Sequence, residues 1–203
     1  MFENSALKNF VAHLGHELAF AQVLIRRNGA GFELRQVEDS AVVVEALRAV
    51  AVNDARALAQ CTAGGEFRPL KSAPSLQRGW RLVAANETDL ERALAQLYPG
   101  AVADWHAAQS DYPPVTHFRD YANRQSGMYR NIALLDDGQV AAVVRATCDA
   151  RRCLKRRLWT VAGLEPDAAV AKSLIPCLEP CAILMDSARR TARIGEQESN
   201  RQS

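Results

Sequence analysis

The sequence predicts an α+β fold: a small mixed N-terminal domain with a β-hairpin, then an all-helical C-terminal domain. Three observations lead there. Two β-rich runs, LAFAQVLIRR and FELRQVED, flank NGAG. An Asn-Gly step between such runs signals a hairpin, because both residues tolerate positive φ. The proline pair in QSDYPPV (109–115) marks a linker, since proline interrupts helices and sheet ladders alike. Beyond it, residues 116–190 hold no run that alternates as a half-buried strand must.

Taken in order, residues 3–16 place Leu7, Phe10, Val11 and Leu14 at helical spacing. The hairpin about Asn28-Gly29 follows. Asp39 or Ser40 caps an expected helix to about Ala49, with Val43, Ala46, Leu47 and Val50 as its stripe. CTAGGEF (61–67) is a turn region, and GWRLVAA (79–85) reads as a strand. Asn86 caps ETDLERALAQLY, a helix stopped by Pro99-Gly100. A short helix is expected over 101–109. After the linker, HFRDYANRQSGMYRNIALL and GQVAAVVRATC read as helices, with Asp136 or Asp137 as the cap between them. CLKRRLWTV supplies a further helical turn or two, and PCAILMDSARRTARI a last helix. The domains expected are 1–110 and 116–192, with 193–203 a disordered polar tail.

The 203 residues can bury a sizeable core. Apolar residues make up 48% and charged residues 24%, an ordinary balance for a water-soluble fold. A net charge of +2 points to no partner. No run approaches the ~18–20 apolar residues of a membrane helix. MFENSALKNF lacks the basic-then-apolar pattern of a secretory signal. The expected location is therefore cytoplasmic, without membrane association. In that reducing compartment, clustered cysteines hold metal or do redox chemistry more often than they form disulfides.

Four of the five cysteines sit in the last third, as Cys148-x4-Cys153 and, 23 residues later, Cys177-x3-Cys181. Two such pairs can converge on one point, and four thiolates are the ligand set of an iron–sulfur cluster or a tetrahedral zinc. Zinc knuckles use tighter spacings, whereas a cubane is wider and accepts scattered ligands. Pro180 suits the first turn of the last helix. Cys181 would then lie at its N-terminus and Cys177 just before it, where backbone N–H groups favour thiolate. Six cations (Arg145, Arg151, Arg152, Lys155, Arg156, Arg157) against one acid, Asp149, surround the first pair. They would offset a cluster's negative charge. Redox-active thiols and plain core cysteines are the remaining readings. Cys61 stands apart in a Gly-rich turn and reads as an isolated thiol.

The segments RQSGMYR (124–130), RATCDARRCLKRRLWTV and IPCLEPCAILMDSARR together resemble a known iron–sulfur region. It occurs as a C-terminal extension on some sirohydrochlorin cobaltochelatase-like proteins. The preceding half, with its hairpin and RGWRL, resembles the small stabilising domain that accompanies it. The resemblance implies a [4Fe–4S] cluster held by Cys148, Cys153, Cys177 and Cys181. Nothing here matches the chelatases' metal-inserting histidines, so their activity is not implied. A cluster module serving tetrapyrrole or cobalamin chemistry beside a separate protein is.

Within RQSGMYR, Gly127 costs about 1 kcal/mol against Ala in a helix, which close packing against the cysteine region would explain. Met128 and Tyr129 could pack on the cluster. Arg124, Arg130 and Arg152 could donate to its sulfides or to an anionic partner such as a tetrapyrrole-like ligand. The run RRCLKRR is a solvated basic face, a dock for an acidic redox partner, or a phosphate-binding patch. His13 and His16 do not form a zinc-protease pattern. No serine elbow or paired carboxylates stand out, so no catalytic residue is assigned. The functions expected are electron transfer, or accessory service to a chelatase-type protein. The alternative is a nucleic-acid-binding module with a structural cluster or zinc, which the missing aromatic interleaving disfavours.

Overall fold

The computed structural model describes residues 5–60, 76–148, 153–168 and 174–202. The chain divides into two compact units, Met1–Asp111 with Ser173–Ile175, and Tyr112–Lys172 with Pro176–Ser203.

In the first unit, α1 (Ser5–Leu14) buries Leu7, Phe10, Val11 and Leu14. The strands β1 (Glu17–Phe20), β2 (Val23–Asn28) and β3 (Gly31–Gln36) form an antiparallel meander. Asn28 pairs with Gly31, so the turn centres on Gly29-Ala30, one residue later than the Asn28-Gly29 step suggests. Gly29 has φ +58 while neither Asn28 nor Ala30 is positive, the pattern of a II′ turn, which needs glycine only at its first central position.

The helix expected from Asp39 to Ala49 does not form. Short 3-10 turns at Val37–Asp39 and Val44–Ala46 lead instead into β4 (Arg48–Val50). The apolar spacing that suggested a helix belongs to turns, and Val43 is 65% exposed. Next come α2 (Ala55–Gln60), β5 (Trp80–Ala84), α3 (Glu87–Leu97) and α4 (Ala101–Ala108). Asn86 caps α3, its side chain accepting from the Asp89 N–H at 3.0 Å. The sheet order is β1-β2-β3-β5-β4, with only the β4–β5 pair parallel.

One face of this sheet is apolar: Leu34 pairs with both Ile25 and Leu82, and all three are buried. The helices add Leu90, Leu94 and Leu97 from α3 and Trp105 from α4, with Phe10 edge-on to Phe20 at 5.0 Å and to Trp105 at 5.5 Å. The alternate β3 positions, Glu33 and Arg35, are buried as well. Glu33 accepts from Arg35 and, at 2.7 Å, from Arg81; Arg35 also donates to the Val42 carbonyl at 3.0 Å. Burial pushes the Glu33 carboxyl up, but hydrogen bonds and charge from the two arginines outweigh it and hold it below its ordinary value. The pair therefore contributes stability that is full above about pH 4.5 and lost as pH falls through the lower folded value. Glu33→Gln removes that acid-side dependence and strands a buried guanidinium, at a cost of about 3 kcal/mol; urea melts at pH 3 to 7 measure both.

The second unit contains α5 (Phe118–Asn123), a 3-10 segment Gly127–Leu134, α6 (Asp137–Cys148), β6 (Arg156–Arg157), β7 (Pro176–Cys177) and α7 (Ala182–Gln202). It is not all-helical. CLKRRLWTV, expected to be helical, runs extended: Arg156 and Arg157 pair in parallel with Pro176 and Cys177, and His117 bridges Thr160. Strands of two residues are too short to show alternation in sequence, which is why they escaped notice. The polar tail expected to be disordered continues α7 to Gln202. Gly127 has φ +58 and open space where a Cβ would stand. It serves a backbone turn rather than the close packing expected of it.

The unit's core joins Phe118, Ile132, Val140, Val144, Trp159, Leu184, Met185 and Ala188. Asp136, not Asp137, caps α6, accepting from the Gln139 N–H at 2.8 Å.

Candidate metal centre

Each cysteine of the second unit is positioned by a different device. Cys148 is the last residue of α6. Cys153 lies between α6 and β6. Cys177 belongs to β7, held by the pairing of Arg157 with Cys177 and by the Leu158 N–H donating to the Cys177 carbonyl at 3.0 Å. Cys181 immediately precedes α7, and its carbonyl accepts the first helical bond from the Met185 N–H at 3.0 Å. Cys181 is thus the N-cap, and Pro180 lies one residue outside the helix rather than in its first turn. All four are half-buried thiols.

They share surroundings. Cys148, Cys177 and Cys181 pack against the same core. Burial pushes the Cys177 thiol up to about 11; the Trp159 N–H and the Lys155 charge oppose that push, and Cys181 and Cys153 reinforce it. The Trp159 Nε1–H donates to Cys177 Sγ at 3.4 Å, and Cys177 Sγ donates to the Glu179 carbonyl at 3.2 Å. Tyr121 faces the same region: burial, then Glu179 and Cys181, raise its phenol, and Arg124 lowers it.

The basic residues part company. Arg157 is 5% exposed. It donates to the carbonyls of Trp159 (2.6 Å) and Glu165, and its guanidinium lies 5.2 Å over the Trp159 ring. Lys155 is buried too. The run is therefore not one solvated face. Arg124 is exposed, donates to the Asp120 carbonyl at 3.2 Å and stacks on Tyr121 at 5.9 Å. Tyr129 is half-buried against the core, with Arg189 6.0 Å over its ring. Arg130 is exposed on the 3-10 segment and Met128 is 65% exposed. Arg152 and Cys61 lie outside the described residues. His13 packs on Trp105 at 5.2 Å, and His106 meets Asn9 at 3.0 Å.

Sequence reasoning missed Trp159 and Tyr121. A tryptophan two residues beyond a basic pair and inside the cysteine segment is the signal that pointed to the first. Tyr121 left no signal, because its role depends on the turn that brings α5 near Cys181.

A buried cation, Lys155, acting on the Cys177 thiol suits an anionic iron–sulfur cluster. Among the described residues, which include all four cysteines, no group of three or more His, Cys, Asp or Glu side chains is gathered to hold a metal ion.

Comparison with known proteins agrees. Residues 110–190 match a 4Fe-4S iron-sulfur cluster binding domain, and residues 5–109, just over half the chain, match the DR2241 stabilising domain. Among solved structures, DR2241 from Deinococcus radiodurans is similar, with a TM-score of 0.76 and 26% identity over 93% of this chain. It is described as a multi-domain protein with structural similarity to chelatases and two additional novel domains. This chain spans 41% of its length. No curated protein matches. None of this supports zinc. The chain belongs to the DR2241 stabilising-domain family and carries, after that domain, a 4Fe-4S iron-sulfur cluster binding domain.

Proposed function

We propose that Cys148, Cys153, Cys177 and Cys181 hold the [4Fe–4S] cluster, and that the protein is a cytoplasmic redox module working beside a chelatase-type protein of tetrapyrrole or cobalamin chemistry. What supports the ligand assignment is that the match to a 4Fe-4S cluster binding domain over residues 110–190 contains all four cysteines, three of which, Cys148, Cys177 and Cys181, pack against one core. The cluster, when bound, supplies one-electron transfer. The residues supply the rest. Lys155 offsets negative charge, and Trp159 and the core exclude water from Cys177. Exposed Arg124 and Arg130 can receive the carboxylates of an anionic partner or ligand bidentately. The likeness to a protein with chelatase similarity supports the choice of partner.

Cys177, protonated at neutral pH in the metal-free chain, gives up its proton on ligation, so loading improves as pH rises. Reconstitution yields at pH 6.5 and 8.5 check this, the higher pH giving more iron per chain. The nucleic-acid reading needs the basic run as an exposed strip, and the burial of Lys155 and Arg157 weighs against it. Duplex DNA in low salt is expected to leave the loaded protein unbound; binding that falls steeply with added salt would favour that reading instead. A potentiometric titration of the loaded protein tests the redox role. Reversible one-electron reduction is the expected result, and a cluster that resists reduction by dithionite would make it structural.

A further inference from the structure

We propose that Trp159 sets the reduction potential of the cluster by donating a hydrogen bond to Cys177 Sγ; this rests on Cys177 being a ligand. The indole N–H can only donate, and a buried one needs a partner. Trp159 is 1% exposed, and its Nε1 lies 3.4 Å from Cys177 Sγ. The ring cannot readily turn away. Phe118 packs on it with centroids 6.1 Å apart, and Arg157, itself bound to the Trp159 carbonyl, covers it at 5.2 Å. Arg157 also fixes the register that carries Cys177, because the two residues are partners across β6 and β7. Donor and acceptor are thus held by one local framework.

The other contact of this sulfur changes character on ligation. As a thiol, Cys177 donates to the Glu179 carbonyl at 3.2 Å. As a thiolate it has no proton to give, and that oxygen then faces a negative sulfur. The Trp159 N–H keeps its sign in both states. Uptake of one electron from a sulfoxy-anion reductant such as dithionite adds one negative charge, shared with the thiolates. A hydrogen bond to sulfur stabilises that more negative state and raises the potential. Lys155, buried and felt by Cys177, acts in the same direction.

The test uses the full chain, loaded without oxygen. Trp159→Phe is expected to keep its iron and sulfide while its midpoint shifts to lower potential. Phe118→Leu, which disturbs the same packing without touching the N–H, is expected to leave the midpoint unchanged. Protein grown with 15N-indole tryptophan is expected to show, in pulsed EPR of the reduced cluster, a coupled 15N and an exchangeable proton. Trp80 donates its Nε1–H to the Gln77 carbonyl at 2.8 Å and Trp105 packs on Phe10 and His13, so the signal would belong to Trp159. This measurement stands even if Trp159→Phe folds poorly. An unshifted midpoint in Trp159→Phe, equal shifts in both variants, or no coupled 15N would each overturn the proposal. Full iron content in Cys177→Ser would instead overturn the ligand assignment beneath it.

Discussion

Cys177→Ser and Cys181→Ser are each expected to yield protein with most of its iron and visible colour gone and with reduced helix content. The first sits where β7 meets the Trp159 framework and the second at the N-cap of α7. Losing either ligand unties a strand or a helix from the shared core. Metal-linked stability is large, because ligation free energy in such sites becomes folding free energy. Absorbance near 400 nm, iron analysis and circular dichroism measure the effect. The double replacement of Cys148 and Cys153 is expected to bleach the protein as well; full colour there would mean the ligands are wrongly chosen. Replacing Cys61 is expected to change neither colour nor helicity. The metal-free chain should melt in two steps, with the second unit first and the first unit near its normal midpoint, as differential scanning calorimetry would record.

Arg157→Ala is expected to be the most damaging change outside the cysteines, costing about 3–5 kcal/mol in the second unit. The guanidinium is buried, satisfies the carbonyls of Trp159 and Glu165, and stacks on the Trp159 ring. Its backbone N–H donates to Asp167 Oδ2 at 2.8 Å. Removing the side chain leaves two carbonyls without it and a void beside the tryptophan. Arg157→Lys restores charge but not the planar fork, so only partial recovery is expected. Arg156→Ala, at the neighbouring residue but half-exposed, should cost well under about 1 kcal/mol. Chemical denaturation of the loaded proteins separates the three.

The legible parts of the fold were those written in local chemistry. Asn86 as a cap, Gly29 in the hairpin and the apolar stripe of α1 follow from residue type and spacing alone. The iron–sulfur cofactor was legible for the same reason, since thiol count and pairing carry chemistry directly. What was not legible depends on partners distant in sequence. Val43 and Leu47 share helical spacing, yet they flank the 3-10 turn Val44–Ala46 that leads into β4, whose partner β5 lies some thirty residues on. Arg157 looked like one more surface cation, because nothing local says that Glu165 and Trp159 will close over it. The strand character of Cys177 comes from a two-residue pairing 20 positions upstream. Local propensity is a weak prior against such long-range contacts.

The central claim is that this chain binds one [4Fe–4S] cluster through Cys148, Cys153, Cys177 and Cys181. The most direct measurement is iron, sulfide and zinc per chain in protein purified without oxygen, beside its visible spectrum. The account predicts about four irons and four sulfides with a broad absorption near ~400 nm. Colourless protein that stays folded, with one zinc or no metal, would contradict it.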